Sequence, residues 1–228
     1  MRSPLSPIPA LMMAYRPGMD DILRVEQTAR SQALWQHKRD HLRSGRVRPL
    51  NDLVGRWRAE APSRLIPWFD PDDGGVQART LLLMEAPGPR TVRAGGSGFC
   101  SLDNIDGTHR TVRRMLEEVA LPRTAVVKWN VVPWAVADAA GQWSAPSRAD
   151  LVAARDALAQ VMALLTRVRL VITMGQPASG GFMAYLTGRT IQRPPVVLAI
   201  PHPSQRNTHD RAESELRLRH AFTYALTI

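Results

Sequence analysis

The chain has 228 residues, 44% of them hydrophobic and 22% charged, which suits one well-buried domain and excludes a disordered or fibrous protein. Its net charge is +10, and since Lys38 and Lys128 are the only lysines among thirty basic residues, twenty-eight arginines carry the excess; guanidinium groups pair bidentately with phosphate and favour a nucleic-acid partner. Cys100 is the sole cysteine, excluding an intrachain disulfide or a cysteine-built metal site, and no stretch nears 18 apolar residues, so we expect a cytoplasmic protein with no membrane partner.

Residues 1–18 contain Pro4, Pro7, Pro9 and Pro17 and read as a surface arm. From Asp20, an acidic first turn followed by Ile22, Leu23 and Leu34 predicts a helix. It runs into Lys38, Arg39, Arg43, Arg46 and Arg48, with His37 and His41 between them. Two histidines at i, i+4 can chelate a metal, but the cations around them favour a solvated face or a phosphate contact. Asn51 is placed to cap a short helix through Arg58, ahead of the loop RLIPWFDPDDGG at 64–75.

Thr80–Met84 is a continuous apolar run stopped by Glu85-Ala86-Pro87-Gly88-Pro89, the pattern of a strand buried on both faces. Glu85 therefore stands at a strand's carboxyl end, where open α/β sheets bind ligands. The loop Gly95-Gly96-Ser97-Gly98 before Phe99 lacks the spacing of a dinucleotide or P-loop phosphate cradle. Thr108 is placed to cap a helix with Val112, Met115, Leu116 and Val119 on one face and Arg110, Arg113 and Arg114 on the other. Ala125–Val132 is a second strand, interrupted by Asn130, which must be locked to backbone or read a ligand.

Ser147 and Asp150 form a capping-box pattern before Leu151, Ala154, Leu158, Val161 and Leu165. Leu170–Met174 is a third strand ending at Gly175, and Pro177 starts a helix through Leu186. Pro195–Ile200 is a fourth strand, followed at once by His202-Pro203-Ser204. A last helix from about Asp210 is expected to bury Leu216, Phe222 and Leu226. Strands alternating with helices give an α/β class fold, a three-layer α/β/α domain at 79–228 with a four-stranded parallel sheet. Residues 1–78 form an N-terminal arm and helical extension.

Three strand ends now carry MEAPG (84–88), WNVVP (129–133) and HPS (202–204) in that order. With GF at 98–99, ALPRTAV at 120–126 and VITMGQPA at 171–178, they resemble the uracil-DNA glycosylase superfamily, and within it the GEAPG-type thermostable branch. The resemblance runs from about Leu81 to Phe222. It departs at Met84, where the branch has glycine, and at Pro89-Arg90, where it has an acidic pair. Gly98 replaces a proline, and Gln205-Arg206-Asn207 replace a leucine wedge. One cysteine stands in place of four cluster ligands, so neither an iron–sulfur cluster nor any other cofactor or metal is expected.

The resemblance implies a monofunctional DNA glycosylase for base excision. Catalysis would fall to Glu85, which activates water and offsets a cationic sugar, and to His202, which bonds the charge developing on O2 of the departing base. Asn130 would read N3–H and O4, Phe99 would stack on the flipped ring with help from Trp134, and Pro87 and Gly88 would line the pocket. Ser204 would hold a phosphate, and Arg90, Gln205 and Arg206 would contact DNA, single- or double-stranded, with the enzyme a monomer. Uracil is the implied base. No aromatic wall follows Gly88, so a 5-substituted pyrimidine, as in modified foreign DNA, is the alternative. A catalytically inactive DNA-binding protein is another, and so is a nucleotide or sugar-phosphate enzyme using the glycine-rich loop. Each residue also has a plain structural use: Glu85 in a turn, Phe99 in the core, Asn130 bonded to backbone, His202 ending a strand.

Overall fold

The computed structural model describes residues 19–137, 141–203 and 211–228. Residues from Lys38 onward form one compact unit and those before it a separate one. In chain order the elements are α1 (Met19–Asp40), α2 (Arg48–Glu60), β1 (Trp68–Phe69), β2 (Thr80–Met84) and α3 (Pro89–Val92). Then come β3 (Phe99–Cys100), α4 (Gly107–Glu118), β4 (Val126–Asn130), α5 (Arg148–Ala153) and α6 (Arg155–Leu164). The last are β5 (Leu170–Met174), α7 (Gln176–Thr187), β6 (Val196–Ile200) and α8 (Arg211–Ala225).

Four strands form an all-parallel sheet in the order β4-β2-β5-β6. Successive side chains on a strand point to opposite faces, so each buried run feeds two cores. Leu81, Leu83, Val127, Trp129 and Val171 face α2, α6 and α7, where Leu50, Leu53, Leu158, Val161 and Phe182 meet them. Leu82, Met84, Val126, Leu170, Ile172 and Met174 face α4 and α8, meeting Val112, Met115, Leu218 and Phe222. The same alternation assigns Lys128 and Asn130 to the α4/α8 face, because Val127 and Trp129 take the other one. The fold is the expected α/β sandwich with helices on both sides.

Several local expectations change. The compact unit that holds the sheet runs from Lys38 to Ile228. Leu50, Leu53 and Val54 of α2 lie in the first core, and Phe69 stacks on Trp129 with centroids 3.6 Å apart and planes 9° from parallel. Such a pair is worth about 0.5–1.5 kcal/mol beyond the area it buries. Asn51 does not cap α2; it lies within the helix, fully buried. Its amide donates to Leu42 O (2.8 Å) and Phe69 O (3.2 Å) and accepts from Phe69 N (2.8 Å), tying α2 to β1. The cap of α4 is Asp106, not Thr108: its carboxylate accepts from His109 N at 3.0 Å. On α8, Phe222 is buried, but Leu216 and Leu226 are 47% and 49% exposed; Leu218, Ala221 and Ala225 take the inner face instead. The Ser147–Asp150 capping box is present, and its helix breaks at Ala154 into α5 and α6.

A buried ionic cluster anchors the segment before β2. Lys38 Nζ lies 2.7 Å from Asp70 and 2.9 Å from Asp103, and it also bonds Asp72. Arg123 reaches Asp70 (2.6 Å), Asp73 (2.9 Å) and Asp103 (2.7 Å). Asp73 in turn accepts from the backbone N–H of Lys128 at 3.3 Å, so the cluster is joined to β4. Asp70, Asp72 and Asp103 stand close enough to hold a cation, and the Lys38 ammonium bonds all three.

Candidate active site at the carboxyl ends of the strands

The sheet's register brings the three motifs together. Met84 is the Cα partner of Asn130, and beyond this pair Val131 N and Val132 N bond Met84 O and Glu85 O at 2.8 and 3.0 Å. On the other side, Met174 pairs with Ile200, and Gly175 N bonds Ile200 O at 3.0 Å. Glu85, Asn130, Gly175 and His202 thus leave adjacent strands on one edge of the sheet.

Gly175 shows how close they are. Its backbone, φ 93° and ψ 163°, lies in a region that essentially only glycine adopts. A Cβ there would collide with the Glu85 carboxylate at Oε1 and come within 3.3 Å of the His202 Cβ. The residue between β5 and α7 is therefore bare, which leaves room for the Glu85 carboxylate beside the stem of His202. Burial raises the Glu85 pKa, and burial followed by the Lys128 charge lowers that of His202. The pair is a carboxylate made more basic and an imidazole kept neutral.

Asn130 is buried, and its Nδ2 donates to Cys100 Sγ at 3.5 Å. The same sulfur accepts from Lys128 Nζ at 3.2 Å. Burial raises the thiol pKa, against the lowering effect of Lys128. Cys100 is placed by the β1–β3 pairing, in which Phe69 is its Cα partner.

His109, in the first turn of α4, also belongs to this region. Its Nδ1 lies 2.5 Å from Asp106 Oδ2, and its Nε2 is buried with no partner among the described residues; Ser214 Oγ on α8 shares that condition. Burial first, then Lys128, push its pKa down to about 4 despite Asp106. Burial works to raise the Asp106 pKa, but the bonds from His109 prevail and hold it at about 2. An ionised carboxylate only accepts, so Nδ1 carries the proton and Nε2 presents a lone pair.

The other expected site residues fall as follows. Phe99 is 1% exposed at the start of β3, with Trp68 N bonded to Gly98 O at 2.8 Å beside it. Pro87 is buried and Gly88 exposed, in the turn directly after Glu85. Trp134 carries the Arg64 guanidinium 3.9 Å above its ring. Arg90 lies in α3, its side chain outside the description, and Ser204, Gln205 and Arg206 lie outside the described residues. Sequence reasoning missed Lys128, Cys100, Asp106 and His109 as neighbours of the site. One signal was available: lysine occurs only twice in this arginine-rich chain, and both lysines are buried.

The family model described as the Uracil DNA glycosylase superfamily matches residues 71–225. Among solved structures the chain is similar to Pedobacter heparinus SMUG2, at 11% identity and TM-score 0.47, covering 78% of this chain and 82% of that one. It is also similar to a solution structure from Methanosarcina acetivorans described as a "putative Uracil DNA glycosylase", at 13% identity and TM-score 0.37, covering 65% and 92%. No curated protein matches.

Proposed function

Because the chain belongs to the uracil DNA glycosylase superfamily, we propose that this DNA glycosylase hydrolyses the N-glycosidic bond of a pyrimidine flipped out of DNA. The observation that carries the reading is the convergence of Glu85 and His202 on bare Gly175, with Asn130 on the strand next to that of Glu85. In the reaction the C1′–N1 electron pair leaves with the base, and a water oxygen bonds C1′. Glu85 orients that water, takes its proton and offsets the oxocarbenium charge. His202 donates an N–H to O2 of the departing base; a neutral imidazole already holds that proton. One preorganised donor of this kind contributes about 2.7–4 kcal/mol. Extruding the base costs a few kcal/mol, which favours mispaired or modified bases.

Hydrolysis without strand cleavage is supported by the state of the two lysines. Lys38 sits among Asp70, Asp72 and Asp103, and Lys128 bonds Cys100, so neither ammonium is set up to attack C1′ as an amine. The arginine excess supports DNA as the partner. The base is uracil or a 5-substituted pyrimidine, and the setting, as a cytoplasmic monomer, is repair or defence against modified DNA. The test is single-turnover excision alongside DNA affinity. Glu85→Gln and His202→Ala should each slow release by about 10²-fold or more with affinity nearly unchanged. Parallel loss of binding and rate would make them structural residues and end the proposal.

A further inference from the structure

Resting on that reading, we infer that the pocket takes a pyrimidine with a 4-amino group, and that His109, oriented by Asp106, is the specificity-determining acceptor for that amine. Two hydrogen-bonding facts lead there. The amide nitrogen of Asn130 gives one of its two N–H groups to Cys100 Sγ, and its Oδ1 is an acceptor open to a ligand. His109 presents Nε2, a second acceptor, buried and without a partner among the described residues. Both lie on the same side of the sheet: α4 packs against the face that bears Lys128 and Asn130, and His109 is in its first turn. α4 follows directly on β3, which carries Cys100, the partner of Asn130 Nδ2, so His109 in its first turn lies by the catalytic end of that face.

A 4-amino pyrimidine brings two N–H donors on one nitrogen, and the pocket offers two acceptors. Its N3 is a bare acceptor, which suits a neighbouring ammonium such as Lys128. A 4-oxo base brings one donor, N3–H, for Asn130 Oδ1 and leaves His109 Nε2 buried and unpaired. Leaving a buried polar group unpaired is what gives hydrogen-bonding sites their discrimination. The roles depend on the Asp106–His109 bond: while the carboxylate takes the Nδ1 proton, Nε2 stays an acceptor.

The test uses oligonucleotides carrying a 2′-fluoroarabino nucleotide, which slows cleavage so that binding can be measured apart from catalysis. They bear cytosine, 5-hydroxymethylcytosine, uracil or 5-hydroxymethyluracil at one position. The wild-type protein should bind the 4-amino member of each pair about tenfold or more tightly than the 4-oxo member. His109→Phe, which keeps an aromatic ring and removes the acceptor, should bring that ratio close to one. Asp106→Asn keeps a good helix cap and can donate to Nδ1, moving the proton to Nε2; it should turn the ratio toward the 4-oxo base. A wild-type preference for uracil, or a ratio untouched by His109→Phe in folded protein, overturns the inference. Preference for 5-hydroxymethyluracil that His109→Phe removes gives the acceptor to a 5-hydroxyl and overturns it too. Amino preference in binding, with no release from the natural deoxynucleotides, leaves the inference standing and ends the glycosylase reading instead.

Discussion

Glu85 and His202 converge on the volume that a side chain at residue 175 would occupy. Two conditions follow for that position: no Cβ, and a backbone conformation at φ 93° that glycine alone adopts cheaply. Gly175→Ala should therefore strain the backbone by about 1–3 kcal/mol and displace the Glu85 carboxylate. A displacement near 1 Å at a reacting group costs on the order of 10² in rate. Single-turnover excision should fall by that factor, with a melting temperature lower by a few degrees. Near-normal excision by Gly175→Ala would mean that Glu85 works from another position.

The pH dependence of the reaction should be one-sided. Burial raises the Glu85 pKa, and the ionised form is the one that accepts a proton from water, so rate is lost as pH falls through that raised pKa. Burial and the Lys128 charge lower the His202 pKa and favour its neutral form, so no loss follows from its titration above neutrality. The profile of kcat/KM should show an acid limb above the ordinary carboxylate range, and Glu85→Gln should flatten what activity remains. An acid limb that survives in Glu85→Gln belongs to another group.

The strand ends were legible because the information in them is local. TLLLM, LVITM and the run before Asn130 are apolar stretches cut by turn residues, and the sheet places their ends side by side. What escaped was non-local. The β1–β3 pair has two residues per strand, too short for any periodicity, yet it positions Cys100 under Asn130. Asn51 stands where a cap is expected, but its amide serves Phe69, eighteen residues away. Thr108 and Asp106 are both capping residues; the aspartate serves because one carboxylate bonds both the backbone and the ring of His109. His109 lies three residues before Val112, on the buried face of α4, and only the packing of that helix on the sheet brings it toward the site.

The Lys38 cluster should behave as a structural clamp. Lys38 and Asp70 are fully buried, and removing one member of a buried pair strands the other's charge. Lys38→Met should cost about 3–5 kcal/mol, read as a shift in the urea midpoint. Asp70→Asn in the same chain should recover part of that loss, a coupling that a double-mutant cycle measures. Additive losses would show that Lys38 acts through its other partners.

Stability in acid should depend on His109. Its pKa is lowered to about 4 in the folded protein and is about 6.5 when unfolded, so between those values the unfolded chain binds a proton that the folded one refuses. That stability is present above pH 6.5 and is lost as pH falls toward 4, to a total of about 3 kcal/mol. His202, shifted in the same sense, adds to the loss as pH falls below 6.5. Asp106 acts later: its folded pKa is about 2 against an ordinary value near 3.8, so its share is present above pH 3.8 and disappears as pH falls toward 2. The expected result is a two-stage acid loss, measured as unfolding free energy by urea titration at pH 7, 6, 5, 4 and 3. His109→Phe removes the titrating ring and should be less stable than wild type at pH 7, yet flatter between pH 6.5 and 4. It should also weaken the later stage, because Asp106 loses the ring that holds its pKa down. If wild type and His109→Phe lose stability in parallel from pH 7 to 4, His109 is charging freely, its Nε2 is not a buried acceptor, and the pocket assigned to a 4-amino base loses its second acceptor.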